Sequence, residues 1–146
     1  MVANAAPATF TSQVELSGTP GCEAEALRLL EEARQSLAVR SEVVADFRLA
    51  VLEACLNALE YGKRPVEVEV EAHRDRDGVR FWVRVSDCGP GFSPEAVPQP
   101  QLADKLASPR KRGWGLEIMR RFADELKVES RPGRTVVTLV RAASGV

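Results

Sequence analysis

A carboxylate and an amide lie four residues apart in one helix-forming segment of the sequence. Glu53 and Asn57 belong to the run LAVLEACLNALEY, which is rich in good helix formers. On a helix their side chains would share one face, with Cβ atoms about 5–6 Å apart. The pair is compatible with a purely structural position at a partly solvated edge of the helix. Alternatively, Asn57 holds a hard cation through its oxygen while Glu53 orients or deprotonates an attacking hydroxyl group.

A second group of residues with chemical potential follows a predicted strand. The segment DCGPGF begins with the carboxylate of Asp87 and continues with Gly89 and Gly91. The two glycines permit a close approach of the backbone to a ligand. Because turns use the same residue types, this motif alone does not distinguish a binding loop from an ordinary turn.

A third segment, RKRGWGL, places three cations and two glycines directly before a predicted helix. It contains Arg112, Gly113, Gly115 and Leu116. Free backbone N–H groups and the helix dipole favour an anion such as a polyphosphate at this position. Taken alone, the segment is equally compatible with a solvated basic loop.

Composition limits the classes of protein that these segments can belong to. The chain has 146 residues, of which 45% are hydrophobic and 28% charged. This is typical of a soluble domain and excludes disordered, collagen-like and membrane-embedded classes. Twenty Lys and Arg balance 21 Asp and Glu, giving a formal charge of -1. Without a net basic field, we expect no direct binding of nucleic acid.

The cysteines and the apolar segments bear on the cellular compartment. Cys22, Cys55 and Cys88 occur singly, without the pairing expected of a disulfide framework or a zinc site. No basic and apolar leader is present, and no run of about 18 apolar residues is long enough to span a bilayer. The sequence therefore predicts a cytoplasmic protein without a membrane anchor.

Hydrophobic periodicity predicts the elements that must position the three segments. Phe10, Val14 and Leu16 alternate as in a strand, and the apolar residues between Leu27 and Leu37 recur at helical spacing. A second helix is expected to begin with Ser41 as its N-cap and to end at Gly62 in a left-handed C-cap.

The rest of the chain favours hairpins. Valines alternate with charged residues on both sides of an Asp77-Gly78 turn, with glutamates on one strand facing arginines on the other. A third helix begins near Gly115, and Leu126–Ser130 and Thr135–Val140 form a final hairpin. The order βααββ, loop, αββ predicts an α+β two-layer sandwich, with a mixed, mostly antiparallel sheet and helices on one face.

Together, the three segments, in this order and with this element pattern, resemble the GHKL ATPase superfamily, which includes gyrase and histidine-kinase catalytic domains. Within it, the segments LAVLEACLNALEYG, VSDCGPGF, RGWGLEIMRRFADEL and PGRTVVTLV are similar to bacterial anti-sigma-factor serine kinases. They span most of residues 49–140. The resemblance implies the GHKL (Bergerat) ATP-binding fold.

The resemblance also implies roles for individual residues. Asn57 would coordinate Mg²⁺ that bridges the ATP phosphates, and Glu53 would be the base toward a serine hydroxyl of a protein substrate. Asp87 would accept from the adenine amino group, with Thr135 near the adenine. Gly89 and Gly91 would let the chain pass the base. The phosphate-binding segment comprises Arg112, Gly113, Gly115 and Leu116.

The same resemblance divides the chain into regions and suggests partners. Residues 8–142 would form one kinase domain with a mobile ATP lid at about 93–112, between a flexible start at 1–7 and a tail at 143–146. The implied partners are a sigma factor and an anti-sigma antagonist protein, and a homodimer is possible. Tyr61 departs from the family pattern, since many relatives have His before this glycine.

Three functions are compatible with these features. The first is an ATP-dependent serine/threonine kinase that also binds a sigma factor. The second is a non-catalytic module in which ATP sets the affinity for a partner protein. The third is a histidine-kinase domain acting in trans, which ranks last because the single histidine lies on a predicted strand.

Overall fold

The computed structural model describes residues 8–91 and 114–144. The described strands are β1 (Thr9–Leu16), β2 (Val66–Asp75), β3 (Gly78–Asp87), β4 (Glu125–Arg131) and β5 (Arg134–Ala143). The described helices are α1 (Ala24–Ser36), α2 (Phe47–Tyr61) and α3 (Trp114–Phe122). The flexible start expected at 1–7, the ATP lid expected at about 93–112 and residues 145–146 of the expected tail lie outside the described residues.

The strands form one sheet in the order β1-β2-β3-β5-β4, and each neighbouring pair is antiparallel. Alternation along β2 explains which face is buried: Val66, Val68 and Val70 are fully buried, whereas Glu67 is exposed. The buried face packs with residues of α1 and α2 in one hydrophobic cluster. The predicted α+β two-layer sandwich is confirmed.

The two predicted hairpins are confirmed, and each has a two-residue loop. The first loop consists of Arg76 and Asp77 rather than the expected Asp77-Gly78, because Gly78 already pairs as the first residue of β3. Asp75 pairs with Gly78 across the first turn, and Arg131 pairs with Arg134 across the second. Gly78 has a φ of +140°, and a Cβ added there would lie 2.1 Å from the carbonyl oxygen of Ala143. Glycine is therefore required at this position by both conformation and space.

The helix-free face of the sheet carries the opposite charges that the alternation predicts. Arg84 lies opposite Glu69 in the β2–β3 register and contacts it at 2.7 Å, with Glu71 at 3.2 Å. The guanidinium of Arg80 lies 6.0 Å from the ring centroid of half-buried Trp82. Such exposed ion pairs contribute only about 0–1 kcal/mol each, so this face adds little to stability.

The predicted start of α2 is wrong, whereas its predicted end at Gly62 is confirmed. Ser41 begins a short 3-10 turn, and α2 itself begins at Phe47. β-branched Val43 and Val44 are poor helix formers, and Val44 is 1% exposed because it packs into the core. Gly62 does cap the helix, but with φ -90° and ψ -169° it is extended rather than left-handed.

No helix within the described ranges, 8–91 and 114–144, is long and apolar enough to cross a membrane. The cysteines are all free, as expected: Cys22 and Cys55 are buried, whereas Cys88 is exposed. Desolvation by burial raises the pKa of the Cys55 thiol to about 12.

Candidate functional site

The helix-facing side of the sheet is apolar until β3 ends and β5 begins. Val83 and Val85 on β3 are followed on the same face by Asp87, and Val137 on β5 is preceded by Thr135. Asp87 and Thr135 are directly opposite each other in the β3–β5 register. They are 8% and 2% exposed, so a carboxylate and a hydroxyl group replace the core valines at this end.

The end of α2 leaves room for the carboxylate of Asp87. A Cβ added to Gly62 would lie 2.4 Å from the Cγ of Asp87 and 2.6 Å from the carbonyl oxygen of Ala58. Because Gly62 is extended, its backbone conformation does not require glycine. The proximity of the carboxylate therefore explains why this position has no side chain.

The loop after β3 is held by hydrogen bonds on both sides. The amide N–H of Cys88 donates to the carbonyl oxygen of Lys63 at 2.8 Å, and that of Gly133 donates to Gly89 at 3.0 Å. Within the loop, the Gly89 N–H donates to Oδ1 of Asp87 at 2.8 Å. These bonds fix the carboxylate between the end of α2 and the β4–β5 turn.

Close packing of the loop continues at Gly91, which has a φ of +84°. A Cβ added there would lie 2.2 Å from Oγ of Ser130 and 3.4 Å from Oγ1 of Thr135. The two hydroxyl oxygens are themselves 3.0 Å apart. The glycine thus lets the loop pass directly beside a pair of hydroxyl groups.

The other wall of the site is formed where α2 packs against α3. A Cβ added to Gly115 would lie 2.7 Å from Nδ2 of Asn57 and 2.9 Å from its Oδ1. The Asn57 side chain therefore packs against the backbone at the start of α3. Leu116, the next residue, is 2% exposed and joins the hydrophobic core.

These elements enclose a pocket between α2, α3 and the ends of β3 and β5. α2 lines it at intervals of three and four residues, which place its contributors on one face. The lining residues are Ala54, Asn57, Ala58, Tyr61, Gly62, Asp87, Gly91, Leu116, Thr135 and Val137.

A family model described as the histidine kinase-like ATPase domain matches residues 16–141. The chain belongs to this family. ATP binding is the activity that its ATPase domain implies. The match covers every element of the described fold except all but the last residue of β1 and the last two residues of β5.

Curated relatives place this histidine kinase-like ATPase domain among proteins similar to anti-sigma factors. It is 35% identical over 101 residues to an anti-sigma F factor of Thermoanaerobacter sp. strain X514, covering 68% of each chain. An anti-sigma F factor of Caldanaerobacter subterraneus subsp. tengcongensis is 32% identical over 111 residues, again covering 68% of each. The resemblance to GHKL ATPases of the anti-sigma-factor kind is confirmed.

The structure of the RsbU and RsbW domains of Rv1364c from Mycobacterium tuberculosis has a similar fold. The TM-score is 0.63 at 19% sequence identity, and the match covers 91% of this chain. It covers only 32% of the longer Mycobacterium chain. At this identity the likeness supports the fold alone.

The structure brings most of the residues singled out from sequence to this one pocket. Asn57, Asp87, Gly91, Leu116 and Thr135 line it. Gly89 contacts Asp87, and Gly115 packs against Asn57. Glu53 is half-buried one helical turn before Asn57 and does not line the pocket, while Arg112 and Gly113 lie outside the described residues.

Three contributors to the site were not predicted from sequence as parts of it. Gly62 was interpreted only as a helix cap, although it borders the Asp87 carboxylate. Tyr61 was noted only as a departure from the family pattern, and its spacing of four residues from Asn57 was the available signal. No sequence pattern indicates Ser130, because only the register of the β4–β5 pair places it beside Thr135.

Proposed function

We propose that this protein is a cytoplasmic ATP-dependent serine/threonine kinase of the anti-sigma-factor type. It would bind a sigma factor and phosphorylate a serine of an anti-sigma antagonist. The observation that carries the proposal is the meeting of Asn57, Asp87 and Thr135 in one pocket bordered by glycines. Its similarity to anti-sigma F factors supports the choice of partners.

The polar end of the pocket fits an adenine base. Asp87, when ionised, accepts hydrogen bonds only, as the adenine amino group requires. Thr135 beside it adds a hydroxyl group, and Gly62 and Gly91 keep side chains out of the space around both. Ala54, Ala58 and Val137 supply apolar surface for the faces of the ring.

The α2–α3 side of the pocket fits the phosphates. Asn57 offers the type of oxygen ligand that Mg²⁺ uses, and Mg²⁺ in such sites takes few protein ligands besides substrate phosphates and water. When bound, Mg²⁺ would neutralise the charge of the phosphates. Gly115 lies against Asn57, and we propose that it binds the phosphates together with Arg112, Gly113 and Leu116.

Transfer of the phosphoryl group to a serine is assisted by a general base, and we assign this role to Glu53, one helical turn before Asn57 on α2. The serine oxygen of the substrate attacks the γ-phosphorus, the bond from that phosphorus to the bridging oxygen breaks, and ADP leaves. Glu53 takes the hydroxyl proton as the new bond forms. Glu53 lies one helical turn before Asn57 on α2, and we propose that the protein substrate approaches the phosphates from this side.

Transfer of radiolabelled phosphate from ATP to the antagonist protein tests the proposal. Glu53→Gln should slow transfer by about 10²–10⁴-fold, because a general base contributes that much, while ATP affinity stays close to that of the wild type. Glu60→Gln, an exposed glutamate later in α2, is the matched control and should transfer normally. Equal transfer by Glu53→Gln and wild type would show that Glu53 is not the base.

The second candidate is a non-catalytic module in which bound ATP sets the affinity for a partner. The exclusion of Glu53 from the pocket lining favours it. This function predicts saturable ATP binding and nucleotide-dependent capture of a sigma factor, with no labelled antagonist. Labelling that depends on Glu53 would exclude it.

A further inference from the structure

Ser130 completes a row of polar side chains across three strands. It pairs with Thr135 in the β4–β5 register, and Thr135 pairs with Asp87 in the β3–β5 register. All three lie on the helix-facing side of the sheet, at the end that borders the pocket. The row therefore reads carboxylate, hydroxyl, hydroxyl from β3 to β4.

The two hydroxyl groups of this row are in hydrogen-bonding contact. Oγ of Ser130 and Oγ1 of Thr135 are 3.0 Å apart. Each hydroxyl has one proton to donate and two lone pairs that accept. When Ser130 donates to Thr135, the Thr135 proton is left to donate into the pocket. When Thr135 donates to Ser130, the pocket meets only lone pairs.

The direction of this bond sets what Thr135 can offer to the edge of a purine that lies beside Asp87. Along one edge adenine presents an amino donor beside the acceptor N1, whereas hypoxanthine and guanine present an oxo acceptor beside a protonated N1. The carboxylate of Asp87 matches the adenine amino group. Thr135 matches N1 only if its own proton points into the pocket.

We propose that Ser130 is a positioning residue that selects adenine by donating its proton to Thr135. The inference rests on the proposed binding of ATP and adds the origin of base selectivity. Gly91 supports it, because the loop passes so close that an added Cβ would lie 2.2 Å from Oγ of Ser130. The glycine thus leaves room for Ser130 beside Thr135, which is itself 2% exposed.

The test is calorimetric titration of the full chain with ATP, with 1-deaza-ATP, in which a CH group replaces N1, and with ITP. The wild type should bind ATP more tightly than either analogue. Ser130→Ala should weaken ATP binding about three- to tenfold, the usual effect of losing one hydrogen bond. It should change 1-deaza-ATP binding by less than about twofold, because that analogue cannot accept the bond that Ser130 orients.

Two further variants separate positioning from a structural effect. Ser130→Thr keeps the hydroxyl and should restore the preference for ATP over 1-deaza-ATP. Ser86→Ala removes a serine from the opposite face of β3, next to Asp87, and should leave the preference unchanged.

The possible failures are distinguishable. If Ser130→Ala weakens ATP and 1-deaza-ATP equally, or if the wild type binds both equally, the positioning role is wrong while ATP binding stands. If the wild type binds no nucleotide, the proposed function fails and the inference fails with it.

Discussion

The middle of the β3–β5 pair and its pocket end have the same strand pairing but different roles. In the middle of the sheet, the side chains of Phe81, Val83 and Leu139 are apolar and fully buried. At the pocket end, the same face carries Asp87 and Thr135, and glycines replace side chains around them. The first region supplies stability through burial, whereas the second leaves polar groups and space for a ligand. Substitutions in the two regions should therefore have separable effects.

The largest effect on stability is expected in the apolar region. Phe81→Ala should lower the free energy of unfolding by about 3–5 kcal/mol, because the lost burial is compounded by a cavity. Chemical denaturation followed by circular dichroism measures this change. Phe81→Leu, a milder variant, should remain folded and bind ATP within about twofold of the wild type. A specific loss of binding in folded Phe81→Leu would contradict the separation of the two regions.

The largest effect on binding is expected at Gly62. Gly62→Ala places a Cβ where the Asp87 carboxylate now lies, 2.4 Å from its Cγ, and should weaken ATP binding by about 10–100-fold. Gly21→Ala is the control, since its φ of +86° makes the variant strained while the added Cβ contacts nothing within 4 Å. It should lower the melting temperature without changing affinity. Equal ATP affinities of Gly62→Ala and the wild type would show that the space beside the Asp87 carboxylate is not needed for binding.

A smaller effect on binding is expected where α2 meets α3. Gly115→Ala should displace Asn57, because the added Cβ would lie 2.7 Å from its Nδ2, and should weaken Mg-ATP binding about tenfold. In an Asn57→Ala background the same change should have no further effect on affinity. Additive losses in the double variant would show that Gly115 acts independently of Asn57.

The mildest test requires no substitution and compares the rates at which the three cysteines are alkylated. In the folded protein at pH 8, Cys88 should react with iodoacetamide, whereas buried Cys22 and Cys55 should react at least about 100-fold more slowly. Burial raises the pKa of Cys55 to about 12, so its thiol stays protonated at this pH. Peptide mass spectrometry measures the rates. Labelling of Cys55 as fast as that of Cys88 would contradict its burial in the core.

Sequence patterns were most informative where one face of an element is buried. The alternation of valine and glutamate in β2 predicted the strand and its two faces, and the glycines of DCGPGF predicted a close backbone approach. The position of Gly62 against Asp87 was not predictable, because it depends on how α2 packs on β3. The same holds for Ser130, whose partner is fixed by the register of a hairpin rather than by any local motif.

The central claim is that Asp87 is the acceptor for an ATP adenine in the pocket between α2 and the sheet. Calorimetric titration of the wild type and Asp87→Asn with Mg-ATP tests it most directly. We expect the wild type to bind one nucleotide per chain saturably. We expect Asp87→Asn to bind Mg-ATP about 10–100-fold more weakly, with an unfolding free energy within about 1 kcal/mol of the wild type. Absence of binding by the wild type, or equal affinities for the two proteins, would contradict it.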